Sequence, residues 1–107
     1  MELTDVVVVG GGVIGLACAW RAAQRGLTVT LLDRSSPGAG ASGVAAGMLA
    51  PVGEADFGQR RFAALTMAAA EAWPGLASDL EQASDVAVPY RRCGAGSTTD
   101  QGIAELA

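Results

Sequence analysis

The chain has 107 residues, 50% of them hydrophobic and 17% charged, with a formal net charge of -4 at pH 7 and a mean hydropathy of +0.34, the composition of one globular domain and not of a disordered tail. Its seven cations are all arginines, Arg21, Arg25, Arg34, Arg60, Arg61, Arg91 and Arg92, too scattered to form the basic patch that nucleic acid requires. With no histidine and no lysine, the segment has no imidazole base, Ser-His dyad, histidine-ligated zinc, Walker lysine or Schiff base, so its chemistry must come from a cofactor, a partner or further chain.

Cys18 and Cys93 lie far apart and outside any C-x-x-C pair, which indicates neither a disulfide framework nor a metal knuckle and fits a reducing cytoplasm. Glu2 and Asp5 ahead of the apolar run Val6 to Val9 are the wrong charge for a secretory leader. The uncharged stretch from Ser35 to Gly53 approaches the length of a membrane span, but Pro37 and its glycines make a spanning helix implausible. The expectation is a soluble cytoplasmic protein with no nucleic-acid partner, no membrane and no metal.

In chain order, Val6 to Val9 reads as a strand buried on both faces of a parallel sheet. Gly10-Gly11-Gly12 ends it. From Val13 to Arg25 a helix is expected, with Val13, Leu16, Ala17, Trp20 and Ala23 at helical spacing, Arg21, Gln24 and Arg25 on the wet side, and Gly26 as its C-terminal cap. Thr28 to Leu32 reads as a second strand, closing a strand, helix, strand unit whose right-handed crossover makes the strands parallel neighbours. Residues 34–47, RSSPGAGASGVAAG, have the composition of either a flexible linker or a ligand-binding loop. Phe62, Leu65, Ala69, Trp73, Leu76, Leu80 and Ala83 keep steps of three and four and predict a helix from about Phe57 to Ala83, kinked or broken near Trp73 by Pro74. Val86 to Arg92 reads as a strand, with Pro89 arguing for an edge or a bulge.

The motif with chemical content is Gly10-Gly11-Gly12-Val13-Ile14-Gly15, a G-x-G-x-x-G directly after a predicted strand and opening a predicted helix. Gly10 permits the tight turn, Gly12 keeps side chains away from a pyrophosphate, and Gly15, followed a turn later by Ala19, lets the helix approach the sheet. The helix N-terminus offers N–H groups and a positive dipole end to phosphate, so no lysine is needed. Asp33 ends the second strand 18 residues after Gly15, where a carboxylate can take hydrogen bonds from both hydroxyls of an adenosine ribose and repel a 2′-phosphate. For Asp33 alone the plainer alternative is a solvated strand-end acid. Cys18 and Trp20 read as packing residues. The fingerprint by itself does not separate FAD from NAD.

Residues 6–58 resemble the N-terminus of the flavin-dependent D-amino-acid oxidase superfamily and within it are most similar to the glycine oxidases of thiamine thiazole synthesis. The specific part is GASGVAAGMLAP, Gly40 to Pro51, followed by Glu54; YRRCG, Tyr90 to Gly94, adds weaker support. The resemblance implies that the Gly/Ala/Ser tract is a cofactor loop and that the cofactor is FAD. The positions matching Val13 and Ile14 then contact the pyrophosphate, Asp33 and Arg34 the adenosine, Ala41 and Ser42 the phosphates, and Ala46, Gly47 and Met48 the flavin; Ala50, Gly53 and Glu54 lie toward the substrate mouth. Gly43-Val44 departs from relatives, which often carry a bulkier residue or another alanine there.

The activity implied is oxidative deamination of glycine or a small amine, with hydride removal to flavin, reoxidation by O2 to hydrogen peroxide, and hydrolysis of the imine to glyoxylate and ammonia or its use in thiazole synthesis. The family's substrate-carboxylate arginine and substrate domain lie well beyond residue 107. The expected architecture is therefore α/β: residues 1–107 form the N-terminal part of a Rossmann-like FAD-binding domain, with parallel strands, incomplete, and with the substrate domain absent. Its partners are a glycine-like amine and O2 in the full-length enzyme, a homo-oligomer being left open, and the 107-residue chain alone is expected to be inactive. The competing readings are a small dinucleotide-binding module docking to another chain, an inactive truncated product, and an NAD-linked dehydrogenase, which the Gly40 to Pro51 segment disfavours.

Overall fold

The structure, a computed structural model, describes residues 3–51 and 58–93. The chain forms two compact units, Met1–Met48 and Leu49–Ala107. The first contains β1 (Val6–Val9), α1 (Val13–Gln24), β2 (Val29–Leu32) and the single helical turn α2 (Ala41–Val44); the second contains the long helix α3 (Arg60–Ser84).

β1 and β2 pair in parallel, with Val6 opposite Val29, Val7 opposite Thr30, Val8 opposite Leu31 and Val9 opposite Leu32. The sheet is thus the start of a Rossmann-like βαβ unit, as the strand, glycine, helix, strand order predicts. β-branched runs of four residues cannot close a helical hydrophobic stripe, but they do form a pleated ladder whose alternate side chains face one way. That alternation is visible here: Val6, Val8, Val29 and Leu31 are half-buried, while Val7, Val9, Thr30 and Leu32 are exposed. Within the described residues, then, one face of the strand pair is covered and the other is open. One face meets α1; on the other, Val9 is 83% exposed.

The face of α1 against the strands is also narrower than its apolar spacing suggests. Ala17 and Trp20 are half-buried as the spacing predicts, and so are Gly15, Ala19 and Ala22, whereas Val13, Leu16 and Ala23 are exposed. Small residues win that face because close approach excludes anything larger: a Cβ on Gly15 would overlap the Gly10 carbonyl oxygen and lie 3.4 Å from Val8 Cγ1. Arg21, assigned by pattern to the wet side, is half-buried with its guanidinium 4.6 Å from the Trp20 ring centroid. The helix ends as expected at Gly26, which has φ +82°. Gly26 N–H donates to Ala23 O (2.9 Å) and Leu27 N–H to Ala22 O (3.2 Å), the paired bonds that satisfy the last free carbonyls of a helix.

In the second unit α3 begins at Arg60, inside the predicted start, and passes Pro74 without a break. Proline deprives the Ala70 carbonyl of its donor, at a cost of about 3 kcal/mol in a helix interior. Packing on both sides of the lesion offsets this. Trp73, Leu76 and Leu80 are half-buried around the buried Ala77, and the segment after α3 turns back onto that face, with the Tyr90 ring 6.5 Å from Trp73. This returning segment is not the predicted strand. Val88 N–H is taken by Glu81 Oε1 (2.7 Å) and Tyr90 N–H by Val88 O (2.7 Å) across Pro89, so local bonds occupy donors that a ladder would need. In the first half of α3 the covered positions are Ala63, Thr66 and Ala70, one step off the predicted Phe62, Leu65 and Ala69. There the Thr66 hydroxyl donates to Pro51 O at 2.7 Å.

Candidate dinucleotide site

The site is built where β1 gives way to α1. Gly10 takes φ +108°, a conformation that a side chain strongly disfavours, and its N–H donates to Leu32 O at 2.8 Å, so the turn begins as an extension of the parallel ladder. Gly12 stands at the N-cap position with no side-chain cap of its own. The cap comes from elsewhere: Val13 N–H donates to Ser42 Oγ at 2.9 Å. Leu16 N–H returns to Gly12 O at 2.9 Å, and the N–H groups of Ile14 and Gly15 are, among the described residues, first-turn donors with no acceptor.

Ser42 shows that residues 34–47 are no linker. Gly38 N–H donates to Gly11 O at 2.8 Å, the Ser42 hydroxyl caps α1, and the turn of α2 is closed by Gly43 N–H on Gly40 O at 3.1 Å. A Cβ on Gly43 would overlap the Gly38 carbonyl oxygen, so the local backbone favours glycine there. The loop thereby forms one wall of a cleft of about 260 Å³ that Gly11, Gly12, Asp33, Arg34, Ala41 and Ser42 help to line. A second cleft of about 360 Å³ lies at the strand ends between Val9, Gly10, Leu32, Asp33 and Arg34. Asp33 and Arg34 belong to both.

The Asp33 carboxylate, which lines both clefts, is held by a set of local donors. Gly11 N–H donates to its Oδ2 at 2.6 Å, and Ser35 donates to its Oδ1 through both N–H (2.8 Å) and hydroxyl (3.1 Å). The Gly11 amide foremost, then the Ser35 amide and hydroxyl, hold the carboxyl below the usual carboxylate range, against a smaller opposing effect of desolvation. The physical cause is that all these donors favour the charged form.

Of the residues singled out from the sequence, Gly10, Gly12, Asp33, Arg34, Ala41 and Ser42 come together around the two clefts. Val13 joins through its N–H, and Gly15 through the closeness of α1 to the turn. Ile14 is 78% exposed and lines neither cleft. Ala46, Gly47 and Met48 are exposed loop residues and also line neither. Gly53 and Glu54 fall outside the described residues; Ala50 is half-buried in the second unit. Sequence reasoning gave no role to Gly11, Ser35 or Gly38, since x positions and a Ser/Gly tract carry no pattern of their own. An Asp-x-Ser sequence, prone to a local side-chain turn, was the available signal for Ser35. Among the described residues no helix is long and apolar enough to cross a membrane, and Cys18 and Cys93 are free, exposed thiols.

A parallel βαβ unit whose glycine turn, helix N-terminus and strand-end acid converge on one cleft defines a dinucleotide-binding module. The chain belongs to the FAD dependent oxidoreductase family, DAO, whose model matches residues 5–107. It is 40% identical over 90 residues to the bifunctional protein ThiO/ThiG of Trichormus variabilis, covering 84% of this chain and 14% of that one. It is 53% identical over 47 residues to the tRNA 5-methylaminomethyl-2-thiouridine biosynthesis bifunctional protein MnmC of Psychrobacter cryohalolentis (44% and 7%), and 49% identical over 45 residues to a glycine oxidase of Geobacillus kaustophilus (42% and 12%). The chain thus matches only a small part of the length of each relative. No solved structure matches it.

Proposed function

We propose that this segment helps to hold FAD in an amine oxidase acting on glycine or a similarly small amine. The observation that carries the cofactor assignment is the joint between Ser42 and the N-terminus of α1: it sets a hydroxyl beside free backbone N–H groups at a glycine, Gly12, where a Cβ would come within 3.2 Å of Ser42 Oγ. Such a cradle suits a pyrophosphate, which needs many donors and no bulk. Gly12, Val13, Ile14, Gly15, Ala41 and Ser42 would hold the phosphates, Asp33 and Arg34 the adenosine, and Ala46, Gly47 and Met48 the flavin. When bound, FAD supplies the electron acceptor for oxidation of the amine. This chain's share is binding and orientation, and we assign it no catalytic residue. The exposed thiols of Cys18 and Cys93 support a cytoplasmic setting.

The glycine reading is supported by the likeness to a glycine oxidase, together with a ThiO/ThiG likeness over 84% of the chain, almost twice the share covered by the MnmC likeness. The latter supports a second reading in which the amine is carried on a modified tRNA base. The test has two arms. Flavin absorbance and FAD titration of the polypeptide that carries this segment and of its Gly12→Val variant address the cofactor: folded Gly12→Val should lose FAD binding, and equal affinity in both would sink the assignment. Peroxide release by the polypeptide that carries this segment, with glycine, sarcosine and D-alanine, addresses the substrate; no release from any of them would remove the glycine reading.

A further inference from the structure

Gly11 occupies the first x of the G-x-G-x-x-G pattern, where the fingerprint asks for nothing in particular. Yet it is the one buried residue of the turn, and both of its backbone polar groups are engaged: the carbonyl accepts from Gly38 N–H, and the N–H donates to Asp33 Oδ2 at 2.6 Å. A Cβ at Gly11 would lie 3.2 Å from that same carboxylate oxygen and 3.4 Å from Leu31 Cδ2. A side chain here would therefore push against the acid, which would have to give by a few tenths of an ångström. The acid in turn is braced from its other side by the Ser35 amide and hydroxyl on Oδ1.

We propose that Asp33 is a positioning residue: its carboxylate clasps Gly11 N–H, with Ser35 as the brace, and so holds the glycine turn in its phosphate-receiving shape before any ligand arrives. The clasp stands on geometry alone; the ligand it serves rests on the dinucleotide reading above. Three donors already occupy the two oxygens, and a carboxylate accepts about four hydrogen bonds, so a ribose finds room for roughly one bond instead of the two that the bare strand-end acid would offer. Arg34 lines the same cleft, and its backbone N–H adds a smaller favourable effect on the Asp33 carboxylate. An amide cannot replace the carboxylate. It has one acceptor oxygen for two separate sets of donors, and its NH2 group would face an N–H.

The test is nuclear magnetic resonance of the cofactor-free 107-residue chain, following the residue-11 amide, joined to FAD titration of the whole polypeptide that carries this segment, for Asp33→Asn, Gly11→Ala, the double variant and Ser35→Ala. The clasp predicts that Asp33→Asn speeds exchange of the Gly11 amide about tenfold or more and moves its resonance, that Ser35→Ala moves it less in the same direction, and that FAD weakens about tenfold in either single variant with little further loss in the double. An acid that only meets ribose would leave the Gly11 amide unchanged in Asp33→Asn without ligand and would make the two FAD losses add; either result overturns the proposal. If the whole polypeptide that carries this segment binds no FAD while the Gly11 amide still responds to Asp33→Asn, the dinucleotide reading falls and the clasp remains.

Discussion

The glycine turn at Gly10–Gly15 and the loop at Arg34–Met48 wall the same cleft, but they are held in place by different means. The turn is bounded by a strand and a helix, and its shape follows from their geometry: Gly10 continues the ladder onto Leu32 O, and Gly15 sits where α1 touches the turn backbone. The loop has one four-residue helical turn and takes its place from bonds to the turn itself, Gly38 N–H on Gly11 O and Val13 N–H on Ser42 Oγ. A scaffolded loop can be recognised by its flanks. A loop held by its neighbour's backbone looks like a linker until the neighbour is in place.

The comparison breaks most severely at Gly15. Alanine is the better helix former by about 1 kcal/mol, so Gly15→Ala would stabilise α1 if nothing stood in the way. The Cβ instead meets a backbone carbonyl between two regular elements that cannot yield, and overpacking of that kind costs about 3 kcal/mol. A net loss of about 2 kcal/mol in chemical denaturation is expected, and a gain would show that α1 is not seated on the turn. Gly43→Ala makes the same kind of overlap, with Gly38 O, but in a loop free to shift. A loss of about 1 kcal/mol is expected, with faster exchange of the Gly38 amide; equal losses at Gly43 and Gly15 would erase the distinction between the two regions.

Ser42→Ala removes the oxygen that caps α1 and should cost about 0.5 to 1 kcal/mol, as for other lost helix caps, while Ser42→Thr restores most of it. Unchanged stability would mean the loop is held without that joint. The smallest effect is on acid sensitivity. Because the fold lowers the Asp33 pKa, the unfolded chain binds the extra proton first, so this group's contribution is present above the ordinary carboxylate range and is lost as pH falls through the lowered value. Denaturation midpoints measured down a pH series should therefore fall more steeply in the parent than in Asp33→Asn; parallel curves would remove Asp33 from the linkage.

The end of α1 at Gly26, the presence of α3 and the glycine fingerprint were legible in the sequence because each rests on interactions within a few residues, helical periodicity and a left-handed cap; the parallel βαβ order followed from two β-branched runs joined by a crossover helix. The resemblance of residues 6–58 to the oxidase family added the cofactor, which no local pattern distinguishes. What tertiary structure alone decided is which faces are covered and which donors are already taken. Small residues displaced Leu16 from the strand-facing side of α1, since approach distance, not hydrophobicity, ranks that face. The segment after α3 is no strand because Glu81 and Val88 capture the N–H groups it would offer. Asp33 was readable as a ligand's acid but not as the brace of Gly11, because that bond joins residues 22 positions apart, and only the pairing of β1 with β2 brings them together.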